Sequence, residues 1–79
     1  MKKKSSQNLD KINEFDKFLK NILKLKRVKN TSVNNCSEWD SINHLTIIFK
    51  LESLFKLKIN NKTIPTLTSY KKIIRYINR

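Results

Sequence analysis

From Ser41 to Leu57 the chain reads SINHLTIIFKLESLFKL, a run without a glycine or a proline. Spacing of this kind predicts a helix, and its apolar residues decide how that helix can sit. At 100° per residue, Ile47, Ile48, Leu51, Leu54 and Phe55 share one broad sector, the face a core requires. Ile42, Leu45 and Phe49 form a second stripe roughly opposite, at the end where Ser41 stands. A chain of 79 residues has room for one domain and one small core, so a helix with two apolar faces cannot easily bury both. The second stripe is therefore a candidate docking surface beside a serine.

The remaining segments supply what the first stripe needs. Leu9, Ile12, Phe15, Phe18, Leu19, Ile22, Leu23 and Leu25 fall in one helical sector, with Lys11, Lys17, Asn21 and Lys24 on the other side. This predicts an amphipathic helix over about 8–25, with Ser6 or Asn8 as its N-cap. Residues 1–7 are polar and lysine-rich, a basic tail expected to fray from a single domain spanning 8–79. From Lys26 to Asp40 the periodicity is lost and Asn, Ser and Thr accumulate, which predicts a long loop. Long ordered loops in small domains need anchors, and Val28, Val33 and Trp39 are the residues for it, with Trp39 as a lid over the bundle end. The second helix is expected from Ser41 to Lys56 or Leu57. Beyond it, Ile59 plugs the core, Asn60 caps a short turn reaching Lys62 or Ile64, and Pro65 stops that turn from lengthening. Thr68 or Ser69 caps a last helix, Tyr70 to Asn78, whose inward stripe is Tyr70, Ile73, Ile74 and Ile77. The fold class expected is all-α: a four-helix bundle of three main helices and one short one.

Composition narrows the function. Cys36 is the only cysteine, so no intrachain disulfide can form, which favours a reducing compartment and an inert thiol. No apolar run approaches the ~20 residues that span a bilayer. Met1-Lys2-Lys3-Lys4 resembles the start of a signal peptide, but the stretch after it is polar. The reading is a cytoplasmic protein with no membrane span. The formal charge of +12 would ordinarily direct attention to nucleic acid. Yet Lys, Asn and Ile make up 35 of the 79 residues, and all three have A/T-rich codons, so biased codon usage alone can load exposed positions with lysine. The aromatic residues sit at core spacing and not as a stacking platform, so no specific nucleic-acid partner is expected; a small basic nucleic-acid-binding protein is the alternative from another class. There is no glycine-rich phosphate loop, no metal-ligand cluster and no catalytic triad. Cys36 and His44 lack an evident Asn or Asp to orient a Cys–His pair. The expectation is a protein without catalytic residues or a metal.

Taken alone, Ser41 is an N-cap, Asp40 a carboxylate favoured at a helix N-terminus, and His44 a solvent-facing polar residue. Taken in order along the chain, the residues resemble the acyl carrier protein family. Asp40–Ser41–Ile42 matches its Asp-Ser-Leu attachment motif with Ile for Leu. Leu51–Glu52 and Phe55 match its Leu-Glu-Glu-x-Phe ending with Ser53 for the second Glu. Ile59, then Leu67–Thr68–Ser69, then Ile74–Arg75–Tyr76–Ile77–Asn78 keep the spacing of the family's last two helices, and the likeness covers about residues 8–79. The resemblance implies a 4′-phosphopantetheine arm carried on Ser41 Oγ, taken from coenzyme A by a separate phosphopantetheinyl transferase that brings its own Mg²⁺ and base. It implies that Asp40 helps the transferase recognise the junction, and that the protein carries acyl groups as thioesters between acyl-loading and acyl-using enzymes. The partner surface would comprise Ile42, Leu45, Phe49, Lys50 and Glu52, presented by a monomer. A peptidyl or aminoacyl carrier of a specialised pathway is the alternative within the class. Family members are typically acidic, whereas here Thr46 and Lys50 stand where acidic residues are usual. That difference points to a dedicated, less basic partner in place of general fatty-acid synthesis enzymes.

Overall fold

The computed structural model describes the backbone from Lys3 to Asn78 and the side chains from Leu9 to Asn78. Met1 and Lys2, the start of the expected tail, lie outside the described residues. Helix α1 runs Lys3–Leu23, starting well before residue 8. Nothing between Lys3 and Asn8 interrupts a helix, since the segment holds no glycine or proline and includes good helix formers. Ser6 and Asn8 consequently lie inside the helix and do not cap it.

Helix α2 spans Ser41–Phe55 and α3 spans Tyr70–Ile77. The short turn expected between them is a single turn of 3₁₀ helix, Ile64–Thr66, with Pro65 within it. Asn60 Oδ1 prepares that turn by accepting from the N–H groups of Lys62 and Thr63 at 3.0 and 2.9 Å. Ser69 caps α3, its Oγ accepting from the Lys72 N–H at 3.2 Å. Sheet pairing among the described residues is one antiparallel bridge between Ser32 and Ser69.

Both long helices end alike. Lys24 and Lys56 take positive φ, 57° and 52°. The residue after each folds its N–H back, Leu25 to the Lys20 carbonyl at 3.0 Å and Leu57 to the Glu52 carbonyl at 3.2 Å. This is the six-to-one closure usually given to a glycine. The chain contains no glycine, so lysine adopts the left-handed conformation.

The core draws on all three α-helices and on the connections between them. Phe15, Leu19 and Leu23 come from α1, Ile47, Ile48 and Leu51 from α2, and Tyr70 and Ile73 from α3; Val28, Cys36, Trp39, Ile59 and Leu67 come from the connections. Each large aliphatic side chain fully buried stabilises the fold by ~1.5–3 kcal/mol. Val28 and Trp39 are buried anchors of the long loop, and Val33 packs half-buried against the cluster. Leu9 does not join the core and is 59% exposed. The two long helices are antiparallel: Lys11 lies over the Phe55 ring and Lys50 over the Phe18 ring. Lys11 thus already meets the last residue of α2, and Leu9, two residues earlier, belongs to the end of α1 beyond that contact.

The loop between α1 and α2 is stitched to the start of α3. Val33 N–H donates to the Thr68 carbonyl at 3.0 Å, and Tyr70 N–H to the Thr31 carbonyl at 2.9 Å. The Tyr70 hydroxyl donates to Asp16 of α1 at 2.8 Å, tying three segments at one residue. Burial first, then the bond to Asp16 and its negative charge, push the Tyr70 hydroxyl well above the usual phenol range. Among the described residues, no helix is long and apolar enough to cross a membrane.

Candidate functional site

The start of α2 is set by Asp40, whose backbone is extended and whose Oδ1 accepts from the Asn43 N–H at 2.9 Å. The N-cap is therefore Asp40 and not Ser41. Aspartate and serine cap about equally well, and the carboxylate also complements the helix dipole. Ser41 becomes the first residue of the helix, and it is exposed. Apart from the Asn43 N–H, which Asp40 takes, the first N–H groups have no acceptor within the helix, so an anion carried on Ser41 would meet the remaining donors and the positive end of the dipole.

A second tie fixes this junction. Asn43 Nδ2 donates to the Glu38 carbonyl at 2.6 Å, holding the last loop residues against the first helical turn. Behind it lies a strut that the sequence reading missed. The indole Nε1–H of buried Trp39 donates to His44 Nδ1 at 2.9 Å, and His44 Nε2 lies 2.8 Å from the Ile64 carbonyl. Both bonds form together when the neutral ring carries its proton on Nε2, the tautomer this network assigns. His44 is thus half-buried between the loop, α2 and the 3₁₀ turn, and is not a solvent-facing residue. The available signal was the buried tryptophan itself, whose N–H needs a partner once it is inside.

A groove of about 350 Å³ opens beside Ser41, with Val33, Trp39, His44 and Pro65 among its walls. Next to it along α2, Ile42 is 76%, Leu45 45% and Phe49 61% exposed, whereas Ile47, Ile48 and Leu51 are fully buried. The second stripe therefore lies in the open. Two further residues assigned to the partner surface have internal partners. Lys50 reaches Glu14 at 3.9 Å and lies 5.4 Å from the centre of the Phe18 ring, so it links α2 to α1. Glu52 Oε2 accepts from the Ile59 N–H at 2.8 Å, bracing the chain as it leaves α2. Thr46 turns its hydroxyl back onto the Ile42 carbonyl at 3.1 Å.

Comparison of the chain with protein-family models, with curated proteins and with solved structures finds no match.

Proposed function

We propose that the protein is an acyl carrier: a small all-α scaffold that bears a 4′-phosphopantetheine arm on Ser41 and presents acyl thioesters to partner enzymes. On this reading the 3₁₀ turn at Ile64–Thr66 takes the place of the family's short helix, completing the four-helix arrangement. The observation that carries the reading is the junction at Asp40–Ser41. There a carboxylate caps α2, the serine stands exposed at its first turn, and an open apolar stripe continues from it.

The chemistry asked of the chain is modest. Ser41 Oγ bonds to the pantetheine-side phosphorus of coenzyme A while that phosphorus loses its bond to the adenosine-side phosphate. The departing product is 3′,5′-adenosine bisphosphate, and the transferase accepts the hydroxyl proton. The arm then supplies a terminal thiol that holds the acyl group. This chain's own residues hold the serine in place. Asp40 and Asn43 fix the junction, the first-turn N–H groups and the helix dipole favour the phosphodiester, and the groove beside Ser41 offers the arm a wall to lie against. With Lys50 and Glu52 engaged internally, the surface left for partners is Ile42, Leu45 and Phe49. Partner contact by that stripe is consequently apolar in character.

The test is intact mass after incubation with coenzyme A and a broad-specificity phosphopantetheinyl transferase. The wild-type chain is expected to gain one arm, and Ser41→Ala none, with unchanged helical circular dichroism. A wild-type chain left unmodified by several transferases, or a Ser41→Ala chain that still gains the mass, would sink the reading.

A further inference from the structure

A second concave feature, larger than the groove beside Ser41, shares no lining residue with it. It is a groove of about 650 Å³ at the carboxyl end of α1, walled by Lys20, Lys26, Arg27 and Lys29 with Asp16 and Asn35. Four basic residues and one acidic residue line this space, and the acidic one, Asp16, already accepts the Tyr70 hydroxyl. The end of α1, equivalent to roughly half a negative charge, offsets the excess only in part. Like charges gathered on one concave wall repel one another, and a bound anion relieves that repulsion.

Codon bias accounts for lysines scattered over a surface, but it does not account for a braced loop that holds them together. Thr31 N–H closes a turn on the Val28 carbonyl at 3.0 Å. Asn35 Nδ2 donates to the Asn30 carbonyl at 3.0 Å, and its Oδ1 accepts from the Ser32 N–H at 2.9 Å. Tyr70 pins Thr31 from α3. The backbone that carries Arg27 and Lys29 is thus braced before any ligand arrives, which lowers the backbone share of the ordering cost of binding.

We propose that this groove is a binding site for a compact soluble polyphosphate, a ligand with at least two adjacent phosphate groups. Arg27 offers a planar two-pronged contact to one phosphate, and the lysines act as point charges around the other. Concavity favours a compact ligand: a flat lipid surface or a duplex backbone would meet cations on a convex face more readily than in a groove.

The experiment is a titration of the full chain with pyrophosphate at physiological salt, followed by backbone amide shifts. Saturable shifts centred on Lys26 to Asn30 are expected. Arg27→Gln combined with Lys29→Gln should weaken binding at least tenfold, while Lys58→Gln combined with Lys62→Gln, which removes the same charge elsewhere, should leave it unchanged. Circular dichroism on all variants establishes that they fold. Ser41→Ala should bind pyrophosphate as the wild type does, so this site and the carrier reading can fail separately. Equal weakening by both lysine-bearing pairs, absence of saturation, or groove-dependent binding of phosphatidic acid vesicles or an oligonucleotide without pyrophosphate binding would overturn the proposal.

Discussion

The two apolar faces of α2 are built from the same kinds of residue and meet opposite fates. Ile47, Ile48 and Leu51 have no exposed surface, whereas Ile42 and Phe49 keep more than half of theirs. Hydrophobicity alone does not separate them; what does is which side α1 and the loop occupy. A small chain can close only one side of a central helix, and here the side left open is the one contiguous with Ser41. Scattered exposed apolar residues are ordinary; here three share one stripe, and the proposed partner surface rests on that arrangement.

The comparison breaks most decisively in a pair of truncations. Leu51→Ala should destabilise the fold by ~2–5 kcal/mol, and Phe49→Ala by no more than ~0.5 kcal/mol, both measured by denaturant unfolding. If Phe49→Ala unfolds the chain as readily as Leu51→Ala, the open face is core and the proposed partner surface disappears with it.

Trp39→Phe asks whether the polar strut behind the open face matters independently of packing. It keeps most of the buried ring but leaves the half-buried His44 Nδ1 without its donor, at a cost of ~1 kcal/mol, the low end for an unpaired acceptor. A loss of that size, recovered in part by a second change at His44, would place the strut in the folding energetics. A neutral Trp39→Phe would confine it to a local arrangement.

An effect of similar size concerns the polar edge of the closed face, where Tyr70 binds Asp16. Folding raises the pKa of this hydroxyl, so its contribution is fully present below the unfolded value of about 10 and is lost as pH rises towards the folded one. Tyr70→Phe should cost ~1 kcal/mol near neutrality, with the gap to wild type narrowing above about pH 10. Parallel stability curves from neutral to alkaline pH would remove Tyr70 from that edge.

Much of the fold was legible from spacing. The two faces of α2, the inward stripe of α1 from Phe15 to Leu23, and the loop anchors Val28 and Trp39 follow from periodicity and from the shortage of other apolar residues in their segments. Features set by neighbours distant in sequence were not legible. Leu9 fits the apolar sector of α1, but the partner helix ends before reaching it. Lys50 and Glu52 look like surface charges until Glu14, Phe18 and the Ile59 N–H are placed beside them. At the candidate site, the serine and its stripe could be read locally. The cap could not be assigned to Asp40 over Ser41 because both residue types can cap, and backbone angles decide. The His44 strut joins residues 20 apart, a separation that no local pattern encodes.

The left-handed lysines at 24 and 56 bear on which mutations this chain can tolerate. Both are exposed and, by side chain alone, would count as freely replaceable. Yet each holds a backbone shape that costs an ordinary residue about 1–2 kcal/mol, and the penalty is heaviest for β-branched side chains. From either lysine codon a single base change reaches asparagine, which tolerates this conformation better, and another reaches threonine, which does not. Two positions that look neutral are therefore among the most directional on the surface, where drift toward asparagine strengthens the helix ends and drift toward threonine loosens them.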